Sequence, residues 1–233
     1  MNLRLTSSAL ALAAMTAPAF ADVTSEQVWQ SWVDYYAAAG YEIKEGGREK
    51  AGDTLTITDL TLTAGVPADD TKSEMVLNVP QVTLTETGDG KVRTVYAEEL
   101  TGKVNGTDSD NKEFLVGFAV NLPGNAIVTS GAPEDMTHDF TYPTAEVLLT
   151  EVKSDGKEKV MPIKLGLVNT TGTMHLVAGA PAKYDYAFKS DSMTFNADVT
   201  DDDGSKATLN GGMTAIETAG EMSLPEGADL TAD

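Results

Sequence analysis

The stretch LTITDLTLT, at residues 55–63, alternates apolar and polar side chains, and the alternation slips by one position at Asp59. Two apolar residues on each side of the slip have opposite parity: Leu55 and Ile57 before it, Leu60 and Leu62 after it. Alternation with a period of two indicates a β-strand with one apolar face. A β-bulge adds one residue, reverses the facing and bends the strand. We therefore predict a bend at Thr58 and Asp59 that keeps all four apolar side chains on one side of a sheet.

The same slip occurs twice more, each time beside a proline. In LNVPQVTL (77–84) the apolar parity changes across Pro80, and in FTYPTAEVLL (140–149) it changes across Pro143. Proline is tolerated at bulges and strand edges because no backbone N–H is needed there. The slips predict long strands that curl around a core or cross from one sheet to another. The alternative is a tight turn between two shorter strands at each slip.

A weak internal repeat is consistent with this interpretation. Pro80–Val92 and Pro143–Val160 share a proline, then V-x-L-T-E, then Asp-Gly-Lys. An Asp-Gly pair between alternating runs is a strong hairpin-turn signal. The repeating unit is therefore predicted to be a β-hairpin with a bent first strand, and convergence on common turn chemistry explains the pattern equally well.

Two further segments alternate strongly. EFLVGFAVNL (113–122) places five apolar residues on one face: Phe114, Val116, Phe118, Val120 and Leu122. KYDYAFKSDSMTFNADV (183–199) places aromatic residues on one side before its Ser-Asp-Ser stretch and apolar residues after it. We interpret this second segment as a hairpin of two strands with a short turn at 190–192.

One segment has a clear helical pattern. TSEQVWQSWVDYYAAAG (24–40) opens with a capping box between Thr24 and Gln27 and closes at Gly40. Its apolar residues, which include both tryptophans of the chain, recur at helical spacing. We predict a helix at 25–39 that packs on a sheet; the alternatives are an aromatic foot on a membrane and a lid over a ligand.

One helix cannot cover a sheet built from all these strands. Strands with one apolar and one polar face belong to antiparallel sheets that are packed on one side. The predicted fold class is therefore mainly β: a curved antiparallel sheet, or a β-sandwich or groove of hairpins, with one N-terminal amphipathic helix. Residues 22–233 are predicted to form a single β-rich domain.

Residues 1–21 have the pattern of an export signal. A short apolar run, LTSSALALAAMTAPAF, leads to an A-x-A cleavage site at Ala19 and Ala21. We expect the mature chain to begin at Asp22 and to be periplasmic, without a transmembrane segment after cleavage; the alternative is a retained membrane anchor. The chain has no cysteine, which fits a bacterial exported protein better than a small secreted eukaryotic one.

The charge of the chain limits the classes of partner that it can bind. It has 36 acidic and 16 basic residues, which gives a formal net charge of −20 at pH 7. Such a field repels nucleic acids and anionic lipid headgroups at long range. Nucleic acid is therefore excluded, and a hydrophobic ligand or another envelope protein is the expected partner.

No pattern in the sequence predicts a catalytic, cofactor or metal site. The histidines, His138 and His175, lie in separate segments without cysteine partners, so neither a zinc site nor a catalytic triad is expected. His175 is interpreted as a strand residue. The acidic segments Asp198–Lys206 and Asp108–Glu113 offer oxygen ligands that suit Ca²⁺. The first fails the EF-hand spacing, and we interpret both as solvated turns.

Three stretches carry a resemblance to a known family: VTSEQVWQSWVDYYAAAGYEI (23–43), GDTLTITDLTLT (52–63) and LNVPQVTLTETGDGKV (77–92). Behind a signal peptide, they resemble exported proteobacterial proteins known only as a domain of unknown function (domain of unknown function 2125). Members of that family tend to be longer, so the acidic end SLPEGADLTAD indicates a truncated member. More loosely, the pattern is similar to large envelope proteins with repeating β-groove architecture, which implies lipid handling between membranes.

These patterns support one leading hypothesis and two alternatives. The leading hypothesis is a non-enzymatic periplasmic protein whose curved apolar face binds a lipid or another hydrophobic ligand of the cell envelope. It depends on the surplus of one-sided apolar strands over a single helix. The first alternative is a structural or protein-interaction module with a self-contained sandwich core, and the second is a hydrolase.

Overall fold

The structure, a computed structural model, describes residues 22–68, 71–107, 110, 112–158, 161–179, 181–200 and 204–224. The predicted export signal and residues 225–233 lie outside this part of the chain. Within it the chain forms one helix and thirteen strands, which confirms a mainly β fold with a single N-terminal helix. In chain order these are α1 (Ser25–Ala38), β1 (Glu42–Lys44), β2 (Gly47–Ala51), β3 (Thr54–Ala68), β4 (Thr71–Glu86), β5 (Val92–Tyr96), β6 (Glu99–Thr107), β7 (Glu113–Asn121), β8 (Ala126–Ala132), β9 (Asp135–Ser154), β10 (Lys157–Glu158), β11 (Ile163–Val177), β12 (Ala182–Thr200) and β13 (Lys206–Leu224).

All thirteen strands belong to one antiparallel sheet that follows the order of the chain. β5 and β6 together take the place of one long strand, because β5 pairs with the C-terminal half of β4 and β6 with its N-terminal half. In the same way, β8 pairs with the N-terminal half of β9 and β7 with its C-terminal half. β2 pairs with residues 54–58 of β3, and β1 pairs with residues 61–63. The sheet is therefore an up-and-down meander in which three positions are filled by a pair of short strands.

The predicted bend in β3 is present and lies opposite a second bend in β4. Thr58 pairs with Gln81 and Leu60 with Val79, which places Asp59 opposite Pro80. Asp59 has a φ of 51° and is exposed. Both strands carry the extra residue at the same level, so their register does not change. The slip in the sequence thus marks a bend that crosses from one strand to the next.

The bend continues through the far side of the sheet. Pro143 of β9 lies opposite Asn169 of β11, and Asp191 of β12 lies opposite Ala215 of β13. Asn169 and Ala215 have φ values of 50° and 53°. Together with the bend in β3 and β4, these positions form a line across the sheet, which we call the bend line.

In the middle of the sheet a buried asparagine supports the bend line. β5–β6 and β7–β8 break there, and the regular ladder of backbone hydrogen bonds is interrupted. Asn125 is 1% exposed; its Oδ1 accepts from the N–H of Tyr96 at 2.8 Å, and its Nδ2 donates to the carbonyls of Tyr96 (2.9 Å) and Leu122 (2.8 Å). One side chain thus satisfies three backbone groups, which are costly to bury without partners.

The bends keep one face of the sheet apolar along the whole length of the long strands. The four apolar residues around Asp59 are all buried, as predicted, with exposed fractions of 1%, 0%, 1% and 3%: Leu55, Ile57, Leu60 and Leu62. Val79 and Val82, three residues apart across Pro80, are buried on the same side. We call this side of the sheet the inner face.

The segment 183–199 is a single strand, so the prediction of a hairpin there was wrong. β12 runs without interruption and pairs on both sides, with β11 and with β13. Its Ser-Asp-Ser stretch is the bend: Ser190 is 7% exposed, and its Oγ donates to the carbonyl of Val168 at 2.9 Å. The neighbouring strands bend at the same level, which keeps the chain extended where the composition alone indicates a turn.

The two Asp-Gly segments of the repeat form the predicted hairpin turns. Gly88 and Gly90 have positive φ between β4 and β5, as do Asp155 and Gly156 between β9 and β10. The first strand of each unit is bent at its proline. The units differ in the second strand, because β5 has five residues and β10 has two.

Helix α1 packs on the inner face at one end of the groove that the bent sheet forms. Its capping box is confirmed: Gln27 N donates to Thr24 Oγ1 at 3.3 Å, and Thr24 N donates to Gln27 Oε1 at 2.9 Å. The helix ends at Ala38, one residue earlier than predicted. Trp29 and Trp32 are 0% and 4% exposed, which confirms a helix packed on a sheet. No helix within the described residues is long and apolar enough to cross a membrane.

The bend line divides the sheet into two arms. The helix arm is the side of the bend line that contains His138, Phe140 and Tyr184, whose rings contact α1, and the open arm is the other side. The helix arm comprises 54–58, 81–86, 92–96, 126–132, 135–142, 170–177, 182–190 and 216–224; the open arm comprises 60–68, 71–79, 99–107, 113–121, 144–154, 163–168, 192–200 and 206–214.

Candidate ligand groove

Aromatic rings fill the inner face of the helix arm. The ring of Trp32 lies 4.7 Å from that of His138 and 6.2 Å from that of Phe140, measured between centroids. Tyr35 contacts Tyr184 edge-on at 5.3 Å. Such edge and tilted arrangements are favourable for aromatic pairs. These contacts join α1 to β9 and β12, so the protein's own side chains occupy this end of the groove.

A cavity of about 190 Å³ remains beneath α1, where the two arms meet. Its lining is entirely aliphatic or aromatic and comes from α1 and from strands of both arms; it includes Trp32, Tyr36, Leu77, Tyr96, Leu100 and Ile127. An apolar cavity of ~150 Å³ is large enough to bind benzene. The space beneath α1 therefore suits a compact apolar group.

The cavity has hydrogen-bonding groups but no charged side chain. Tyr36 OH and Tyr96 OH lie 3.3 Å apart. Burial raises the pKa of both phenols, and it raises the pKa of Tyr142 to about 12. All three are therefore neutral at physiological pH. Nε1 of Trp32 is buried and has no hydrogen-bond partner within the described residues.

Three glycines on the inner face each lie beneath an aromatic ring of the neighbouring strand. The pairs are Gly102 with Phe118, Gly172 with Phe188, and Gly220 with Tyr186. A Cβ atom on Gly102 or Gly172 would lie 2.3 or 2.2 Å from a ring atom, and one on Gly220 would lie 2.5 Å from the hydroxyl oxygen of Tyr186. The absence of a side chain thus lets each ring lie over its neighbour's backbone, and the rings line the groove instead of crossing it.

The inner face of the open arm loses its cover towards the last strands. Leu60 of β3 is buried and Phe195 of β12 is half-buried, whereas Leu209 and Met213 of β13 are 64% and 54% exposed. Leu209 pairs with the buried Ala197, so the exposed residues continue the inner face. Leu209 and Met213 lie on either side of Gly211 on this face, opposite Ala197 and Met193 of β12. Contiguous apolar patches that remain exposed are typical of interaction sites.

A charged cluster fixes the start of α1 on the sheet. Oε1 of Glu86 accepts from Ser25 N (2.9 Å), from Ser25 Oγ (2.9 Å) and from Lys50 Nζ (2.6 Å). The hydrogen bond from Lys50 is the main cause that lowers the pKa of Glu86 to about 2. Sequence reasoning missed this cluster because Glu86 lies 61 residues from Ser25, and no local pattern connects them.

The indole N–H groups of the two tryptophans of α1 differ in their hydrogen bonding. Nε1 of Trp29 donates to Glu45 Oε1 at 2.8 Å, and Arg48 pairs with the same carboxylate at 2.6 Å. Glu45 lies between β1 and β2, next to the bend line. The indole N–H of Trp29 is therefore satisfied, while that of Trp32 is not.

The two histidines, separate in sequence, lie on neighbouring strands. His138 of β9 pairs with Met174 of β11, and His175 pairs with Thr137, so the two differ by one position in register. His138 is fully buried, whereas the side chain of His175 is 38% exposed. Successive residues of a strand point to opposite faces. The assignment of His175 to a strand is confirmed, and the sheet separates the two imidazoles.

The environments of the two imidazoles shift their pKa values in opposite directions. Nδ1 of His138 lies 2.8 Å from Thr129 Oγ1, and burial lowers the pKa of His138 to about 4. Nε2 of His175 lies 2.6 Å from Asp135 Oδ1, and this hydrogen bond raises the pKa of His175. Thr129 and His138 are both 0% exposed, and Nε2 of His138 has no hydrogen-bond partner within the described residues, so this pair lacks the third group that orients the base in a catalytic triad.

Across the residues that the structure describes, no three His, Asp or Glu side chains come together in a way that could hold a metal ion. The acidic segments Asp198–Lys206 and Asp108–Glu113 fall partly outside those residues, so the interpretation of both as solvated turns stays a prediction.

A wider cleft of about 670 Å³ crosses β9, β11, β12 and β13 in the helix arm. Its lining includes Asp139, Lys189 and Glu217, all of them exposed, and Thr173, whose Oγ1 donates to Asp139 Oδ1 at 3.0 Å. These charges are solvated and mixed in sign. The cleft therefore lacks the buried polar group that would orient a ligand.

Comparisons of the chain with family models, with curated proteins and with solved structures found no match. The resemblance to an exported proteobacterial family and to the β-groove envelope proteins thus stays a prediction, and function has to be argued from the groove itself.

Proposed function

We propose that this protein is a non-enzymatic periplasmic protein whose groove binds a lipid or another hydrophobic ligand of the cell envelope. The observation that carries the proposal is the exposed apolar inner face at β13, where Leu209 and Met213 are 64% and 54% exposed. α1 fills the groove at one end, and within the described residues no element covers the other end.

Apolar contact supplies the binding free energy in this proposal. Each methylene group that leaves water contributes about 0.8 kcal/mol, and full cover of a leucine or methionine side chain contributes about 1.5–3 kcal/mol. A hydrocarbon chain on the open arm would gain both contributions. The half-buried Met193 and Phe195 of β12 extend the contact surface beyond the edge strand.

The chemistry of the groove supports a binding role over a catalytic one. The polar groups among the residues that line its cavity are phenols and an indole, and burial raises the pKa values of Tyr36, Tyr96 and Tyr142. Neutral phenols donate and accept hydrogen bonds but are weak nucleophiles. An enzyme would need an activated nucleophile or a base with a matched pKa.

Export is tested by expression in a Gram-negative host. The proposal expects the protein in the periplasmic fraction, with Asp22 as its first residue by N-terminal sequencing. Retention of Met1 would contradict it.

Ligand binding is tested by lipid extraction of the protein purified from the periplasm under native conditions, followed by mass spectrometry. We expect a lipid or another hydrophobic compound in about stoichiometric amount. The variant Leu209→Asp should lose most of it, because the substitution places a charge on the inner face. Asn210→Asp adds the same charge to the neighbouring, outward-facing position of β13 and should retain the ligand.

Two results would contradict the lipid proposal. One is a protein that carries no hydrophobic compound and binds no fatty-acid or phospholipid probe. The other is equal ligand content in Leu209→Asp and Asn210→Asp.

A second candidate, a protein-interaction module of the envelope, is favoured by the edge of the sheet. Within the described part of the chain β13 pairs with β12 alone, although it is 19 residues long. It contains three charged residues: Lys206, Glu217 and Glu221. Natural edge strands are usually short or protected by charges, prolines or bulges. A long edge with few charges suits the addition of a strand from a partner.

The charge of the chain indicates which partner such an edge would take. With a net charge of −20, a second copy is repelled at long range, so a neutral or basic strand of a different protein fits better. Proline at Gly211 or Gly212, whichever has its N–H directed away from β12, should abolish a complex seen by native mass spectrometry. The same variant should leave ligand content unchanged, which separates the two candidates.

A further inference from the structure

One row of paired residues crosses the open arm from the cavity beneath α1 to the edge strand β13. Its first member, Leu100 of β6, lines the cavity. Each member lies opposite the next on the neighbouring strand, in the order Leu100, Val120, Val147, Leu165, Phe195 and Gly211. Residues that pair directly across strands lie side by side on one face of a sheet. They form a continuous track, which we call the apolar row.

The positions beside the apolar row are apolar as well. Residues two apart on a strand share a face. On the side farther from the bend line, these neighbours are Gly102, Phe118, Leu149, Ile163, Ala197 and Leu209. The charged residues next to the row belong to the opposite face, where Nζ of Lys164 pairs with Oε1 of Glu146 at 2.5 Å. A hydrocarbon chain along the row therefore meets apolar surface from the cavity to β13.

The cover over the apolar row decreases towards β13. Leu100 is 6% exposed, Val120 and Phe195 are half-buried, and Gly211 is exposed. At the covered end the row leads into the cavity of about 190 Å³, whose lining is entirely aliphatic or aromatic. Burial of a polar or charged group without partners is unfavourable. The cavity therefore suits the methyl end of a chain, and the exposed end suits a polar head.

The length of the apolar row and the charge of the protein limit the class of lipid. Adjacent strands lie about 4.8 Å apart, so the five steps of the row span about 24 Å. An extended hexadecyl or octadecyl chain covers most of this distance. A net charge of −20 repels an anionic headgroup at long range, which favours a zwitterionic one.

We propose that one long, unbranched hydrocarbon chain of a zwitterionic lipid lies along the apolar row, with its methyl end in the cavity beneath α1 and its polar head at β13. This inference rests on the proposed function and adds the class of lipid and its orientation. Helix α1 closes one end of the groove, so it limits how far the chain can enter.

The test uses hexadecylphosphocholine, a zwitterionic amphiphile with a single chain, in two brominated forms. One form has bromine on the terminal carbon, and the other has it next to the phosphate ester. Bromine is similar in size to a methyl group and quenches tryptophan fluorescence on contact. Both tryptophans of the chain lie in α1, and Trp32 lines the cavity. Each form is titrated into the mature protein below its critical micelle concentration, and calorimetry measures binding.

We expect both forms to bind with similar affinity. The terminal bromine should quench the tryptophan fluorescence in a saturable way, whereas the bromine next to the phosphate ester should leave most of it. Binding with equal quenching by the two forms, or with stronger quenching by the second, would overturn the orientation and leave the proposed function standing. Absence of binding by either form and by unlabelled hexadecylphosphocholine would overturn both.

A matched pair of variants in β12 tests the path of the chain. Phe195→Asp places a charge in the apolar row, and Asn196→Asp places the same charge at the next residue, on the opposite face. Phe195→Asp should weaken binding of hexadecylphosphocholine about tenfold, roughly the contribution of two methylene groups in apolar contact. Asn196→Asp should leave the affinity unchanged. Equal affinity in the two variants would overturn the path. The bromine comparison uses the unaltered chain and decides the orientation even if Phe195→Asp fails to fold.

Discussion

The helix arm and the open arm share the long strands β3, β4, β9, β11, β12 and β13, yet they differ in what covers the inner face. Tyr184, in the helix-arm half of β12, is 4% exposed because Tyr35 of α1 packs against it. Phe195, in the open-arm half of the same strand, is only half-buried. The alternation is equally apolar in both halves. Tyr186 and Phe188 of the helix-arm half are half-buried as well. Full burial of an aromatic residue of β12 therefore depends on contact with a second layer and not on the strand pattern.

The largest expected effect comes from a change in the bend line, because both arms depend on it. Deletion of Asp59 restores strict alternation in β3 but leaves the extra residue Pro80 of β4 without its counterpart, so β3 can keep its register with β4 on only one side of the bend line. We expect loss of the folded state, measured by circular dichroism and by proteolysis. Asp59→Gly keeps the positive φ and should remain folded. A deletion variant as stable as the parent would show that β3 does not require the bend.

Matched truncations in the two arms should give different stability losses. Ile57→Ala, at a fully buried site, should lower the free energy of unfolding by about 2–5 kcal/mol. Leu209→Ala, at a site that is 64% exposed, should lower it by less than about 0.5 kcal/mol. Urea denaturation measures both. With ligand bound, the cost of Leu209→Ala should rise, because binding adds to stability; similar costs without ligand would mean that the open arm is covered.

The buried histidine makes the helix arm sensitive to acid. Burial lowers the pKa of His138 in the folded state to about 4, below its ordinary 6.5, so the unfolded chain binds the proton more readily. The contribution of neutral His138 to the free energy of unfolding is fully present above pH 6.5. It is lost as the pH falls from 6.5 through 4, and the loss amounts to about 3 kcal/mol at most. Denaturation at several pH values measures this loss, and His138→Gln should flatten the curve.

His175→Gln is the control for this prediction. The pKa of His175 is raised by Asp135, so its contribution is present below pH 6.5 and is lost as the pH rises through the raised value, which is the opposite sign. The acid loss should therefore persist in His175→Gln. The pKa of Glu86 is lowered to about 2, so its contribution to the free energy of unfolding is lost only as the pH falls below the ordinary value of 4.5. A loss of stability between pH 6.5 and 4.5 is therefore assigned to His138. A curve unchanged in His138→Gln would contradict the assignment.

The smallest predicted effect concerns Ala215, where the bend line reaches the exposed edge strand β13. Ala215 of β13 has a φ of 53°, which costs an L-residue with a side chain about 1–2 kcal/mol. Ala215→Gly should stabilise the protein by about 0.5 kcal/mol, because the relief of strain exceeds the entropy that glycine loses on folding. Ala219→Gly, in the same strand and without positive φ, should destabilise it by about 0.5–1 kcal/mol. Thermal denaturation distinguishes a gain from a loss.

Local chemistry in the sequence determined the helix, the hairpin turns and part of the bend line. Thr24 and Gln27 form a capping box within one turn of chain, and the Asp-Gly turns depend on their own φ values. Pro80 and Pro143 mark bends because proline lacks an N–H, and the surplus of apolar strand faces over one helix was visible without any structure. The mainly β class followed from these local signals.

Only the tertiary structure decided which polar stretches are bends and what the groove contains. The Ser-Asp-Ser stretch at 190–192 has the composition of a turn, but β11 and β13 bend beside it and hold it extended. Asn125 gained its role because three backbone groups lose their partners where short strands meet. The cavity beneath α1 is lined by residues of strands far apart in the chain, and packing between distant residues leaves no periodic trace in a sequence.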